Sequence, residues 1–166
     1  IEAAIGYYES SALGWEQAAF IRARVVAGDR ALGDYFLQAI RPFIWRRSLD
    51  FSAIDAITDI SRRIRDHYAS GQAFGPGYDM KRGRGGIREV EFFAQVHQLI
   101  HGGRNSDLRI GATRDALHAL AHAGVIEVET ARQLDAAYVA LRTVEHRLQM
   151  IDDRQTHMLP VNSDAL

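Results

Sequence analysis

Between Glu127 and Asp152 the apolar residues Leu134, Ala137, Leu141, Val144, Leu148 and Ile151 return at alternating steps of three and four. Side chains share one face of an α-helix only at that spacing, so the stretch predicts a long amphipathic helix with a coiled-coil-like seam. The pattern lasts fewer than four heptads, which favours a helix packed in a bundle over a free coiled coil. Helical spacing also governs what precedes it. A short helix is expected from about Glu2 to Glu9. A second, from Gly14 or Trp15 to Ala27, buries Trp15, Ala18, Ala19, Val25 and Val26 and ends at Gly28. Leu32, Phe36 and Ile40 form a third stripe that Pro42 closes, and Phe43 to Asp50 reads as a tight connection. Ser52-Ala53-Ile54-Asp55 resembles a capping box for a helix that carries Ile57, Ile60, Ile64 and Tyr68 to about Ala69. Further helices are expected from Ile87 to His101 and from a Thr113 cap through His122 to a stop at Gly124. With three prolines in 166 residues and no strand-like alternation, the expected fold is all-α. It is a bundle of about six helices in a single helical domain over residues 1–166, interrupted by one long glycine-rich loop, Ser70 to Gly86.

Composition narrows the function classes. Apolar residues make up 47% and charged residues 25%, as in ordinary globular domains. A net charge of −1 and a pI of about 6.7 give no electrostatic footprint for nucleic acid, and no nucleic-acid recognition motif is present. The absence of cysteine excludes disulfides and thiolate metal sites and is compatible with a reducing cytosol. No apolar run approaches the roughly 18 residues that would span a bilayer, so no membrane partner is expected. Opening on Ile1 and ending at Leu166, the chain reads as an excerpt of a larger multidomain enzyme.

The stretch MKRGRGGIREVEFF, Met80 to Phe93, breaks this even charge distribution. Of the 20 basic residues only Lys81 is a lysine, and it sits in this motif beside Arg82, Arg84 and Arg88. Gly83, Gly85 and Gly86 permit positive φ and close backbone approach. The helix that follows offers free N–H groups and a partial positive charge. Lys81, Arg82, Arg84, Gly85, Gly86 and Arg88 are therefore candidates for binding phosphate or a nucleotide. This is not a Walker loop, which places its lysine after the glycines, and no strand precedes it as in a dinucleotide fingerprint. The alternative is a mobile surface loop whose arginines pair with nearby carboxylates.

On a helical wheel from Ile87, the residues Phe92, Phe93, Val96, Leu99 and Ile100 fill an apolar arc, whereas Arg88, Glu91, Gln95 and Gln98 form a polar stripe. Glu89 falls within the apolar arc, where a carboxylate needs a partner or the helix N-terminus. Glu145 and Gln149 lie with Asp152, Arg142 and Tyr138 along one flank of the last helix, either as a buried network or as simple i, i+4 pairs. Glu89, Glu91, Gln95, Glu145 and Gln149 are thus the candidates for a supporting polar network. His97 with His101 and His118 with His122 have zinc-compatible spacing but lack the H-E-x-x-H glutamate, and read as surface or satisfied histidines. No metal ligand set and no catalytic residue is assigned.

Three motifs in this order and at these separations carry a resemblance. They are YYESSALGWEQAAFIRARVVAGD (Tyr7 to Asp29), KRGRGGIREVEFFAQ (Lys81 to Gln95) and EHRLQMIDDRQTHMLP (Glu145 to Pro160). Together they resemble bacterial glutamine synthetase adenylyltransferase, the bifunctional adenylyl-transferring and adenylyl-removing enzyme of nitrogen control. The resemblance implies a large cytoplasmic protein whose two nucleotidyltransferase halves each join a catalytic domain to a helical domain. It implies Mg2+ and ATP, ADP or phosphate as cofactors and substrates. It also implies an upstream nucleotidyltransferase domain, glutamine synthetase and the PII regulatory protein as partners. The chain resembles the helical domain, with the first motif pointing to the deadenylylating half. No G-S followed by D-x-D occurs, so the excerpt is expected to be inactive alone. A non-catalytic docking module for glutamine synthetase or PII is the alternative.

Overall fold

The computed structural model describes residues 1–47, 74–161 and, between them, positions 55, 58, 59, 62, 63 and 66. The expected capping box at Ser52 and the Ile57–Tyr68 stripe lie outside the described residues. Among the described residues there are seven α-helices, one 3-10 turn and no strand, in keeping with the all-α expectation. The helices are α1 (Glu2–Ser10), α2 (Gly14–Phe20), α3 (Arg30–Ala39), α4 (Arg41–Ile44), α5 (Ile87–Gly102), α6 (Thr113–His122) and α7 (Val128–Asp152).

The middle of the bundle is α5, which packs against α2, α6 and α7. Its Leu99 joins an aromatic-rich core with Ala18, Ile21, Ile40, Phe43 and Ile44, around which Tyr8, Phe20, Phe36 and Trp45 gather. Its Val90 and Ala94 enter a second core with Leu108, Leu117, Leu120 and Ala131. Each fully buried aliphatic side chain there contributes about 1.5–3 kcal/mol by leaving water. Because α5 is covered on several sides, the polar stripe is fully exposed only at Arg88. Glu91 and Gln98 are buried, and the Gln98 amide donates to the Leu108 and Ile110 carbonyls at 2.7 Å each, offsetting its desolvation.

Other boundaries differ for local reasons. Helix α2 stops at Phe20, seven residues before the expected end, and Val26 and Trp15 are exposed. The chain from Ile21 onward turns away to bring Arg22 against α5 and Gly28 to φ +82°, where Asp29 caps α3 through the Leu32 N–H at 3.1 Å. Pro42 does not end helical structure. It occupies the first turn of α4, where a missing N–H costs nothing. Thr113 is the first residue of α6 rather than its cap, its hydroxyl being taken by Arg22. Gly124 does terminate α6: at φ +68° it supports the paired bonds Gly124 N–H to Ala121 and Val125 N–H to Leu120 of a Schellman motif. On α7 the inward row is Ala131, Leu134, Tyr138, Leu141, Glu145 and Leu148. Leu134, Leu141 and Leu148 hold the expected seam, but Tyr138 and Glu145 replace Ala137 and Val144, which are exposed.

Candidate functional site

The basic loop is organised by Asp79, only 1% exposed. Its Oδ1 accepts the Lys81 and Arg82 N–H groups at 3.0 and 2.9 Å, an Asx-type turn, and its Oδ2 lies 2.8 Å from Arg82 Nε. The Asp79 carbonyl accepts the Gly83 N–H at 2.8 Å, and the Tyr78 hydroxyl donates to the Arg84 carbonyl. The start of α5 is closed by the same loop. Ile87 and Arg88 donate to the Met80 and Lys81 carbonyls at 2.9 Å each, and Glu89 Oε2 accepts the Gly85 N–H at 2.9 Å. Glu89 thus finds the helix N-terminus that its wheel position demanded.

Two consequences follow for the sequence candidates. The amides that would cradle an anion at the start of α5 are already paired within the loop, and the glycines serve that closure. A Cβ on Gly83 would meet the Asp79 carbonyl oxygen at 2.5 Å, one on Gly86 the Met80 carbonyl oxygen at 2.6 Å, and Gly85 has φ +78°. What the loop presents outward is side-chain charge. Arg84 and Arg88 are exposed, Lys81 is half-buried, and none of the three forms an ion pair among the described residues. Arg88 lies over the Phe92 ring at 5.3 Å from its centroid.

The segment after α7 returns to this loop. Met80 N–H donates to His157 O, Leu159 N–H to Tyr78 O and Gly77 N–H to Leu159 O, each at 2.9 Å. Tyr78, Met80 and Leu148 form a third small core beneath them, with Leu141 and Leu159. Glu145, 1% exposed, stands at the centre of this return. Arg142 Nη1 is 2.6 Å from its Oε2, while His157 Nδ1 is 2.8 Å from its Oε1 but out of line for a hydrogen bond. Gln149 donates to the Thr156 carbonyl at 3.1 Å. Buried Glu145 and half-buried Gln149 thus each meet the tail that pairs with the basic loop. The side chain of Asp152 lies outside the described residues.

Glu91 belongs to a separate junction. Its Oε1 accepts from Arg22 at 3.1 Å and from the Tyr138 hydroxyl at 3.2 Å, tying the segment after α2 to α5 and α7. Beside it opens a groove of about 1030 Å³ lined in part by Arg22, Arg24, Asp115, Arg142 and His146. Gln95 joins none of these networks and is half-buried. His97 Nδ1 lies 2.8 Å from the Phe93 carbonyl and His118 Nε2 lies 3.6 Å from Asp135. Among the described residues no three His, Asp or Glu side chains are grouped as a metal site requires.

Asp79, Arg22 and His157 were not singled out from sequence. Asp79 alone had a local signal, an aspartate two and three residues ahead of amides it could bond. Arg22 and His157 reach their partners across 69 and 12 residues of chain, which no local spacing encodes.

A protein-family profile described as GlnD PII-uridylyltransferase matches residues 58–166, and one described as glutamate-ammonia ligase adenylyltransferase matches residues 1–39. Relatives called bifunctional glutamine synthetase adenylyltransferase/adenylyl-removing enzyme cover nearly the whole chain. The protein from Caulobacter vibrioides is 54% identical over 96% of this chain, that from Agrobacterium fabrum 52% over 96%, and that from Rhizobium meliloti 50% over 100%. The chain spans only 16–17% of the length of these relatives. The resemblance carried by the three motifs is thereby borne out: the chain belongs to the family described as GlnD PII-uridylyltransferase and is similar to one segment of the glutamine synthetase adenylyltransferase/adenylyl-removing enzymes.

Proposed function

We propose that the chain is the helical domain of a glutamine synthetase adenylyltransferase/adenylyl-removing enzyme, and that its basic loop helps a neighbouring nucleotidyltransferase domain hold phosphate. The observation carrying this reading is the pairing of a rigid loop with uncommitted charge. Asp79, Tyr78 and Glu89 fix the backbone, while Lys81, Arg84 and Arg88 project cations that no carboxylate neutralises among the described residues. Fixed cations stabilise developing phosphate charge without reorganising. Arg82 has a different task, holding the turn through Asp79. Phosphate would meet side chains rather than backbone amides, because those amides are spent inside the loop.

The chemical step belongs to the neighbouring domain in this reading. Mg2+ and ATP for transfer, and phosphate with release of ADP for removal, would be bound there. The acceptor would be glutamine synthetase in the cytoplasm. No helix among the described residues is long and apolar enough to cross a membrane. In the full-length protein, Lys81→Ala and Arg84→Ala are expected to lower adenylylation or deadenylylation of glutamine synthetase by about tenfold or more while leaving helical circular dichroism unchanged. Wild-type rates in both variants would remove the loop from the reaction.

One observation favours a second reading, in which the domain docks glutamine synthetase or the PII protein. Val139, Val144, Met150 and Ile151 expose apolar surface along α7. That reading expects Val144→Asp and Ile151→Asp to weaken partner capture without changing phosphate affinity. Unimpaired capture by both would exclude this face.

A further inference from the structure

A second concentration of positive charge lies at the opposite end of α5. The sequence IRPFIWRR, Ile40 to Arg47, supplies Arg41, Arg46 and Arg47, and the stretch HGGRNSDLR, His101 to Arg109, supplies Arg104 and Arg109. These five arginines and Trp45 line an open groove of about 1130 Å³. No acidic residue lines it, and none of the five forms an ion pair among the described residues.

The groove is built, not merely decorated with surface charge. Gly102 and Gly103 are both buried, the Trp45 ring lying directly on Gly102 and the Arg46–Arg47 backbone on Gly103. A Cβ on Gly103 would stand 1.9 Å from the Arg46 carbonyl oxygen, and one on Gly102 would stand 2.7 Å from the Trp45 ring. Only glycines at both positions let the two arginine-bearing segments meet. Arg109 is then fixed by donating to the Gly102 carbonyl at 2.7 Å, with its guanidinium 5.7 Å from the Trp45 ring centroid. Arg104 Nε donates to the Arg47 carbonyl at 3.2 Å and ties the two walls together.

Capping the C-terminus of α5 accounts for Arg109, and bridging the walls accounts for one N–H of Arg104. Arg46 lies over the Phe43 ring at 5.8 Å from its centroid, a contact that leaves its charge unneutralised, and neither task explains Arg41 or Arg47; all three are exposed at the same groove. After burial, the charge of Arg41 is what holds the Arg109 guanidinium below the ordinary arginine value. The groove beside Arg22 offers a contrast, since Arg22, Arg114 and Arg142 there are neutralised by Glu91, Asp135 and Glu145, and Asp115 lines the wall.

We propose that the groove between Arg41–Arg47 and Gly103–Arg109 binds an oligophosphate, separately from the Lys81–Arg88 loop. Planar guanidiniums chelate phosphate oxygens in pairs, and five of them in one groove suit a chain of phosphates better than a single one. Free oligophosphate and the tail of a nucleoside polyphosphate share this chemistry.

The test is calorimetric titration of the full-length protein with tripolyphosphate, with ATP and with monophosphate at low ionic strength, in wild type, Arg46→Gln/Arg47→Gln and Arg84→Gln/Arg88→Gln. All four substituted side chains are exposed, so both pairs should fold. The expected result is tighter binding of tripolyphosphate than of monophosphate, weakened about tenfold or more by Arg46→Gln/Arg47→Gln and unchanged by Arg84→Gln/Arg88→Gln. ATP losing affinity in step with tripolyphosphate would identify the phosphate chain as the recognised part. A larger loss for ATP would add a nucleoside contact to the same groove. Loss only in Arg84→Gln/Arg88→Gln would overturn the inference while supporting the basic loop. Equal loss in both pairs would reveal general charge attraction and overturn it, as would no binding.

Discussion

Asp79 shows how much one buried carboxylate can organise. It is met by two backbone amides and a guanidinium, so its desolvation is offset and the loop closes around it. His101 shows the opposite balance. Burial first, then the charges of His97 and Arg104, push its imidazole below the ordinary value of 6.5. The fold therefore prefers the neutral ring, and the unfolded chain takes up the proton at higher pH. His101 contributes its full stability above about pH 6.5, and that contribution falls as pH drops from there towards the lower folded value. Denaturant titrations across this window should show stability declining with acid in the wild type and declining less in His101→Asn. Identical slopes would mean that His101 is equally easy to protonate folded and unfolded.

At the scale of elements, the loop before α5 and the turn after it both depend on glycines, for steric rather than entropic reasons. Gly83→Ala and Gly86→Ala each drive a methyl into a backbone carbonyl oxygen, at 2.5 and 2.6 Å, and the backbone cannot swing aside as a flexible side chain would. Each is expected to cost about 2–3 kcal/mol in chemical denaturation, and to raise amide exchange at Ile87 and Arg88, whose N–H groups the loop carbonyls accept. Gly85→Ala meets no neighbouring atom and should cost only about 1–2 kcal/mol for its left-handed backbone. The reverse ranking would show that conformation, not contact, sets the glycine requirement.

At the scale of the molecule, α7 and the segment after it fasten the last third of the chain to the basic loop. Glu145 is the point of attachment, buried between Arg142 and His157 under a backbone pairing that runs from Gly77 to Met80. Arg142 keeps 36% of its side chain exposed and can re-solvate when its partner is lost, so Glu145→Ala is expected to cost about 1–2 kcal/mol, mainly for the emptied buried site. Glu145→Gln, which keeps an acceptor for Arg142, should cost less. Amide exchange should rise in Met80 and Leu159 together, because the two lie on one pairing. Faster exchange at Leu159 alone would show that the loop stands without the tail.

The periodicity of three and four residues by itself determined that this chain is helical, where α5, α6 and α7 run, and that a glycine- and arginine-bearing loop ending at Gly86 interrupts them. Those features are local: a helix and a turn are specified by neighbours within about four residues. Tertiary structure alone decided which faces turn inward. The apolar count puts Ala137 and Val144 on the seam and sets Glu91 and Gln98 on a polar stripe apart from the apolar arc. In the fold, Tyr138, Glu145, Glu91 and Gln98 are the inward ones: Arg22 and the Tyr138 hydroxyl donate to Glu91, the carbonyls of Leu108 and Ile110 accept from Gln98, and His157 comes within 2.8 Å of Glu145. A buried polar side chain is stable only with its partner present, and a partner ten or more residues away leaves no trace in local spacing. For the same reason the loop's amides read as free in the sequence and are paired in the structure. The five arginines beside Trp45 read as two unrelated stretches until Gly102 and Gly103 let them meet.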